Sequence, residues 1–248
     1  MDETGFWGLA VLAAALVGMG KGGLPVVGML GVPVLAFAVP PVVATAILAP
    51  VYVVSDMFGL WAYRRDFDRR VVAIMGAGAT VGVGLGWATA RIVPEAAVTL
   101  MIGLIGAVFA LRLIWQSWRG RQPPPRPALV GPGVFWGVVT GFTSFVSHAG
   151  APPFQVYALP LRMSKARFTG TTTVLFAYVN AIKLLPYWAL GALNWGNMAV
   201  SLWLLLPAAA AVFLGVWLVR VLPERAFFGA VVWALLAISL RLIWVALV

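Results

Sequence analysis

Long apolar runs recur from one end of this 248-residue chain to the other, and they leave little sequence for a water-facing surface. Three follow one another at roughly 41–62, 71–91 and 96–117, and three more at 168–188, 197–219 and 226–247. Each is close to the ~20 residues that an α-helix needs to cross about 30 Å of hydrocarbon. Composition agrees: 62% of the residues are hydrophobic and 10% charged, against about 45–50% and about 25% in an ordinary soluble domain. A core of this size cannot bury that excess. The chain therefore reads as an all-α polytopic membrane protein in contact with a lipid bilayer.

An internal duplication organises these runs. LRLIW occurs at Leu111–Trp115 and again at Leu240–Trp244, 129 residues apart. At the same offset Arg91-Ile-Val-Pro94-Glu95 matches Arg220-Val-Leu-Pro223-Glu224, and Phe6-Trp7-Gly8 matches Phe135-Trp136-Gly137. Nearer the middle of each half the offset is 127, pairing Gly23-Leu-Pro25 with Gly150-Ala-Pro152 and Trp61-Ala62 with Trp188-Ala189. The halves are thus a first repeat over 1–118 and a second over 133–248. Between them lies a Pro/Arg-rich linker, 119–132, whose PPPRP is a stiff, solvated spacer.

Each half opens with two shorter apolar pieces, 5–18 with 24–38 and 133–147 with 152–161, before its three full segments. Pieces of this length suit re-entrant segments better than spans. If each pair is a hairpin that leaves on the side it entered, a half crosses three times and the two halves are inverted repeats. One face then collects Arg64, Arg65, Arg69, Arg70, Arg119, Arg121, Arg126, Arg162, Lys165, Arg167, Arg220 and Arg225, most of the 17 basic residues. Two full crossings per pair would scatter them, so the positive-inside rule favours inversion and makes the linker cytoplasmic. The same clustering explains the net charge of +10 without nucleic acid. Asp2 and Glu3 give the first apolar segment an acidic start, which reads as mature structure rather than a signal peptide. With no cysteine and one histidine, the chain offers no ordinary metal site, cofactor attachment or acid–base set for an enzyme.

Within this frame GMGKGGLP, Gly18 to Pro25, places a lysine and several glycines inside apolar sequence. It is not a phosphate loop, since Lys21 precedes Gly22 and Gly23 and no Ser or Thr follows. It reads instead as a break between half-helices, with Pro25 suited to the first turn of the second. Interrupted helices at matching places in two halves point to a transporter's binding site, and helix N-termini favour anions. The expected substrate-binding residues are Lys21, Gly22, Gly23 and Leu24 at the first break, and His148, Ala149, Gly150 and Ala151 at the second, the two converging near the midplane. Thr45, Thr171 and Thr172 would line the pocket. His148 is equally a satisfied structural residue, and threonines in membrane helices often bond their own backbone. Asp56 and Lys183 lie far from the ends of their spans and correspond under the 127 offset. A charge at a helix centre costs roughly 2.5–3.5 kcal/mol on insertion scales. The two are therefore either a structural charge pair or a functional one, with Lys183 meeting the anion and Asp56 serving coupling.

The run from His148 to Gly191 carries a resemblance. Gly150-Ala151-Pro152-Pro153, Tyr157-Ala-Leu-Pro160 and Lys183-Leu-Leu-Pro186-Tyr187 resemble motifs of the TauE/SafE sulfite exporter family. Ala151 stands where a second glycine is usual, and Lys21 where many members carry a small residue. The resemblance extends over nearly the whole chain. It implies efflux of a small sulfur-containing anion, sulfite or an organosulfonate, across the bacterial cytoplasmic (inner) membrane, although some members of the family import instead. The helix breaks point to a secondary transporter with proton or sodium coupling, and the charge distribution makes the N-terminus periplasmic. A passive anion channel is the alternative, and a membrane-embedded enzyme a more remote one.

Overall fold

The structure is a computed structural model and describes residues 3–28, 30–39, 41–89, 92, 94–120, 124–147, 149–189 and 198–247. Among these residues there is no strand. The helices in chain order are α1 (Glu3–Lys21), α2 (Pro25–Gly28), α3 (Gly31–Leu35), α4 (Pro41–Tyr63), α5 (Arg69–Thr89), α6 (Glu95–Trp118), α7 (Val130–Ser147), α8 (Ala151–Ala158), α9 (Lys165–Ala189), α10 (Met198–Val221) and α11 (Glu224–Leu247). Five segments, in α5, α6, α9, α10 and α11, are long and apolar enough to cross a membrane. Their outward side chains include Leu206, Trp203 and Val108 at 80%, 76% and 68% exposure, and hydrocarbon is the solvent that tolerates such a surface.

The hairpins differ from expectation in their first arms. Helix α1 continues through Gly18, Met19 and Gly20 to Lys21, so its 19 residues reach roughly 28 Å. Helix α7 likewise starts before 133 and has 18 residues, with Pro132 in its first turn, where a missing N–H costs nothing. The return arms are short, as expected. At 4 and 5 residues α2 and α3 rise only about 6–8 Å each.

The chain divides into two compact units that cut across the repeat boundary. Unit 1 comprises Met1–Phe67 and Thr169–Leu222. Here α2 and α3 fold back along α1, bringing Gly28 against Gly20 and Gly31 against Val17. Helix α10 lies parallel to α1, with Gly18 against Ala208 and Gly22 against Gly215. Helix α9 runs antiparallel to α4, since Gly170 meets Tyr63, Thr173 meets Gly59 and Asn180 meets Asp56. The core gathers Ala10, Ala13, Val17, Leu35, Leu48 and Leu204, and Ser201 Oγ donates to the Ile47 carbonyl at 2.7 Å to tie α10 to α4.

Unit 2 comprises Asp68–Phe168 and Pro223–Val248. Helices α5 and α7 lie parallel and nearly in backbone contact: Gly78, Gly82, Gly137 and Gly141 each abut a main-chain atom of the other helix. Four-residue spacing stacks these glycines on one face, the small-residue device that lets membrane helices approach closely. Helix α11 runs antiparallel to α6, with Gly103 against Ile243 and Gly106 against Ser239. Both fold-back arms therefore rest inside a frame of long helices. Arg167 Nε lies 3.9 Å from Asp68 Oδ2, and the Lys165 amide donates to Glu224 Oε1 at 3.4 Å, so α5, α9 and α11 all start at one end of this unit.

A Cβ at Gly141 would collide with the Ala79 backbone, which cannot rotate away, whereas one at Gly84 meets nothing within 4 Å. Gly141→Val is expected to destabilise the protein by about 1–3 kcal/mol, the usual cost of overpacking. Gly84→Ala should leave stability unchanged or slightly raised. Thermal unfolding of the detergent-solubilised protein checks both.

Candidate anion site

The charged residues of the first half meet at the end of α1. Lys21 is the last residue of that helix, and its Nζ lies 2.7 Å from Asp56 Oδ1 on α4. The side chains are 14% and 6% exposed, so this is a buried ion pair; its approach is a charge contact rather than an aligned hydrogen bond. Asp56 Oδ2 accepts from Asn180 Nδ2 on α9 at 2.7 Å. Nζ also sits 5.4 Å from the centroid of the Tyr52 ring, a cation–π contact one turn before Asp56 on the same face. Lys183 follows Asn180 by three residues, which puts it on the same face of α9. It is 4% exposed and feels the charges of both Lys21 and Asp56.

Two helix faces therefore line the site. Tyr52, Asp56, Gly59 and Tyr63 recur at three- and four-residue spacing on α4, and Thr169, Thr173, Asn180 and Lys183 follow at spacings of four, seven and three on α9. Thr173 Oγ1 makes a long contact to the Lys21 carbonyl, 3.5 Å, and the Tyr63 hydroxyl donates to the Gly22 carbonyl at 2.7 Å. Ser55 Oγ and Thr169 Oγ1 are buried beside this stripe with no hydrogen-bond partner among the described residues. The result is a polar, cation-rich seam through apolar helices.

The turn after α1 is made differently from the sequence expectation. The amides of Gly22, Gly23 and Leu24 all donate back to α1 carbonyls, at Gly18 (2.8 Å), Gly20 (3.3 Å) and Met19 (3.1 Å). They are not bare donors for an anion, and the four residues of α2 are too few to build a helix dipole. What the turn does require is glycine: Gly23 has φ +120°, and a Cβ there would strike Thr169, Val219 and Tyr63. The turn is also level with Tyr63, the end of α4, rather than halfway along it. Only the lysine side chain reaches inward, to an aspartate two turns inside that end.

The second break belongs to unit 2. Ala149 donates its N–H to the Thr143 carbonyl at 3.2 Å and accepts from Thr143 Oγ1 at 3.2 Å. Gly150 precedes α8, accepts from Phe154, and is followed by Ala151 and then Pro152 and Pro153, which have no N–H. Gln155 Oε1 and Thr140 Oγ1 are buried in this unit without a partner among the described residues. Thr171 and Thr172 are buried in α9. His148 and the Thr45 side chain lie outside the described residues. Asn180, Tyr52 and Tyr63 were not anticipated, although Asn180 and Tyr52 sit one turn from the two charges that were.

A family model for the sulfite exporter TauE/SafE matches residues 6–242 of the chain. The chain belongs to the TauE/SafE family. No curated protein and no solved structure matches it. Family membership and the apolar helices together make it a multi-pass membrane protein of a sulfur-anion transporter family.

Tyr63→Phe removes one buried hydrogen bond from the turn and should cost about 1 kcal/mol. Gly23→Ala forces a side chain into an unfavourable φ and a closed space, and should cost more. Paired thermal-unfolding curves give the order, and a Gly23→Ala protein as stable as the wild type would contradict this turn geometry.

Proposed function

We propose that the protein is a secondary transporter that exports a small sulfur oxyanion, sulfite or an organosulfonate, across the bacterial cytoplasmic membrane. The anion binds between Lys21 and Lys183, with the Asn180 amide as a neutral donor. In the empty state Asp56 holds Lys21. The observation that carries this reading is the buried cluster of two lysines around one aspartate in a chain of this family. A charge-assisted contact to an oxyanion is stronger than a neutral one, and in a site excluded from water it is stronger still.

Inverted repeats are part of the proposal, and the packing directions support them. Sequence counterparts α4 and α9 lie antiparallel in unit 1, as do α6 and α11 in unit 2. Helix α1 ends beside the end of α4, whereas α7 starts at the same end of unit 2 as α5 does. The proposed topology, which follows from the clustering of basic residues in the sequence, has inverted halves with the arginine-rich linker cytoplasmic and the N-terminus periplasmic. Alternating access follows as the motion that exposes the lysines to one side at a time, driven by a proton or sodium gradient.

Lys21→Met and Lys183→Met should each lower sulfite flux into proteoliposomes at least tenfold, while Arg64→Ala, whose guanidinium stacks on Trp61 at the surface, stays near the wild-type rate. If both lysine variants transport at wild-type rate and affinity, the site lies elsewhere. Collapsing each ion gradient in turn identifies the coupling ion, and flux indifferent to both makes the protein a channel.

A further inference from the structure

We infer that Tyr63, Gly23, Thr169 and Val219 form a gate at one end of the Lys21 site, latched by the Tyr63 hydroxyl and weakened by the hydroxyl of Thr169. The inference rests on the anion-site reading above for what lies behind the gate, and adds the device that admits the anion. All four residues belong to unit 1. A Cβ on Gly23 would strike Thr169, Val219 and the Tyr63 hydroxyl together, so the turn fills the space between the ends of α4 and α10 and the first turns of α9. Gly170, the next residue on α9, lies against the Asp66 carbonyl and Tyr63. Exposure changes abruptly at this level. Tyr63, Thr169 and Val219 are buried, whereas Arg64, Arg65, Asp66 and Arg220 just beyond them are exposed. Asp56, the partner of Lys21, lies two turns inside Tyr63 on α4, roughly 10 Å deeper. An oxyanion entering from the arginine-bearing end meets this layer first.

Two hydroxyls set the balance of the layer. Tyr63 Oη donates to the Gly22 carbonyl at 2.7 Å, which joins α4 to the turn, and this bond has to break when the two separate. Thr169 Oγ1 is buried with no hydrogen-bond partner among the described residues. A hydroxyl in that state costs free energy only while it stays dry, and water or an oxyanion entering the layer would satisfy it. One hydroxyl therefore favours the closed layer and the other opposes it, and both side chains adjoin Gly23. The orphan keeps the closed state from being too deep a minimum, so the layer can exchange between two arrangements. Thr173 lies one turn further in on α9, beside Gly59 and the Lys21 carbonyl, and is 5% exposed.

The chain has no cysteine, so Thr173→Cys places a single reporter behind the layer. Its rate of reaction with N-ethylmaleimide is measured on the full chain in nanodiscs, well below the unfolding temperature. Thr173→Cys should react at least tenfold more slowly than Arg65→Cys, which lies outside the layer. Adding Tyr63→Phe should raise the Thr173→Cys rate about fivefold, the population shift that one lost hydrogen bond gives. Adding Thr169→Val, which keeps the shape and removes the orphan hydroxyl, should lower it at least threefold. Ser201→Cys reports on the other end of unit 1, where Ser201 is buried against the Ile47 carbonyl, and its rate should not move with either change. Equal rates for Thr173→Cys and Arg65→Cys would overturn the inference, and this arm stands even if the double variants do not fold. Tyr63→Phe and Thr169→Val shifting the rate in the same direction, or not at all, would also overturn it. So would a parallel rise at Ser201→Cys, which is general loosening rather than a gate. Labelling uses no anion, so these outcomes are separate from the lysine flux assay that decides the anion-site reading.

Discussion

The ion pair between Lys21 and Asp56 is the contact around which the first half is arranged. A helix that ends among packed apolar helices leaves its last carbonyls and any charged side chain with little water, and each is best served by a protein partner. Here α1 ends on a lysine, and the lysine reaches inward to an aspartate two turns inside α4. The carbonyl of Gly22 is capped by Tyr63, and the amides of Gly22, Gly23 and Leu24 turn back to α1. Removing one member of such a pair leaves the other charge buried, at a cost of roughly 3–5 kcal/mol. The pair therefore couples the position of α4, the turn after α1 and the Asn180 face of α9.

Much of this frame is legible in the sequence because hydrocarbon imposes length and polarity rules that are simple to read. Runs of about twenty apolar residues become long helices, and the return arms 24–38 and 152–161 fall short of a span because α2 ends at Gly28 and α8 gives way at Ala158 to a 3₁₀ turn that holds Pro160. Lys21, Asp56 and Lys183 stand out because charge is rare inside a membrane helix, and that rarity is a signal in its own right. Asn180 and Tyr52 carry no such signal. They become visible only when α4 and α9 are set side by side, and then their one-turn spacing from Asp56 and Lys183 is enough. The backbone of the turn was harder to read. A glycine-rich break permits both bare amides and amides that fold back on the preceding helix, and the choice depends on where α1 stops. It stops at Lys21, three residues later than the apolar pattern indicates, and the carbonyls of Gly18, Met19 and Gly20 are then in reach.

The two compact units do not coincide with the two sequence repeats, and the reason is packing. The first arm of each hairpin rests on the second long helix of the other repeat: α1 on α10 and α7 on α5. In both cases glycines bring the backbones together, so shape complementarity and not polarity holds the contact in a solvent as apolar as the side chains. Each repeat alone would leave that glycine face open. Each unit is thus built from segments of both sequence halves.

If the Lys21–Asp56 cluster is the anion site proposed above, the same arrangement lets a buried charge site release its cargo. A binding site made only of lysines would bind an anion tightly but would hold two like charges together whenever it emptied. On the proposed anion-site reading, Asp56 removes that difficulty by standing in for the anion. An arriving oxyanion would then take over Lys21 as its partner, and on release the carboxylate would take the ammonium back. In the empty state the lysine is thereby kept paired, which avoids the largest electrostatic penalty for that charge. Binding energy is then limited to the difference between two similar partners. Modest affinity of this kind favours turnover, because a cargo held by the full strength of a buried ion pair would not dissociate on the far side.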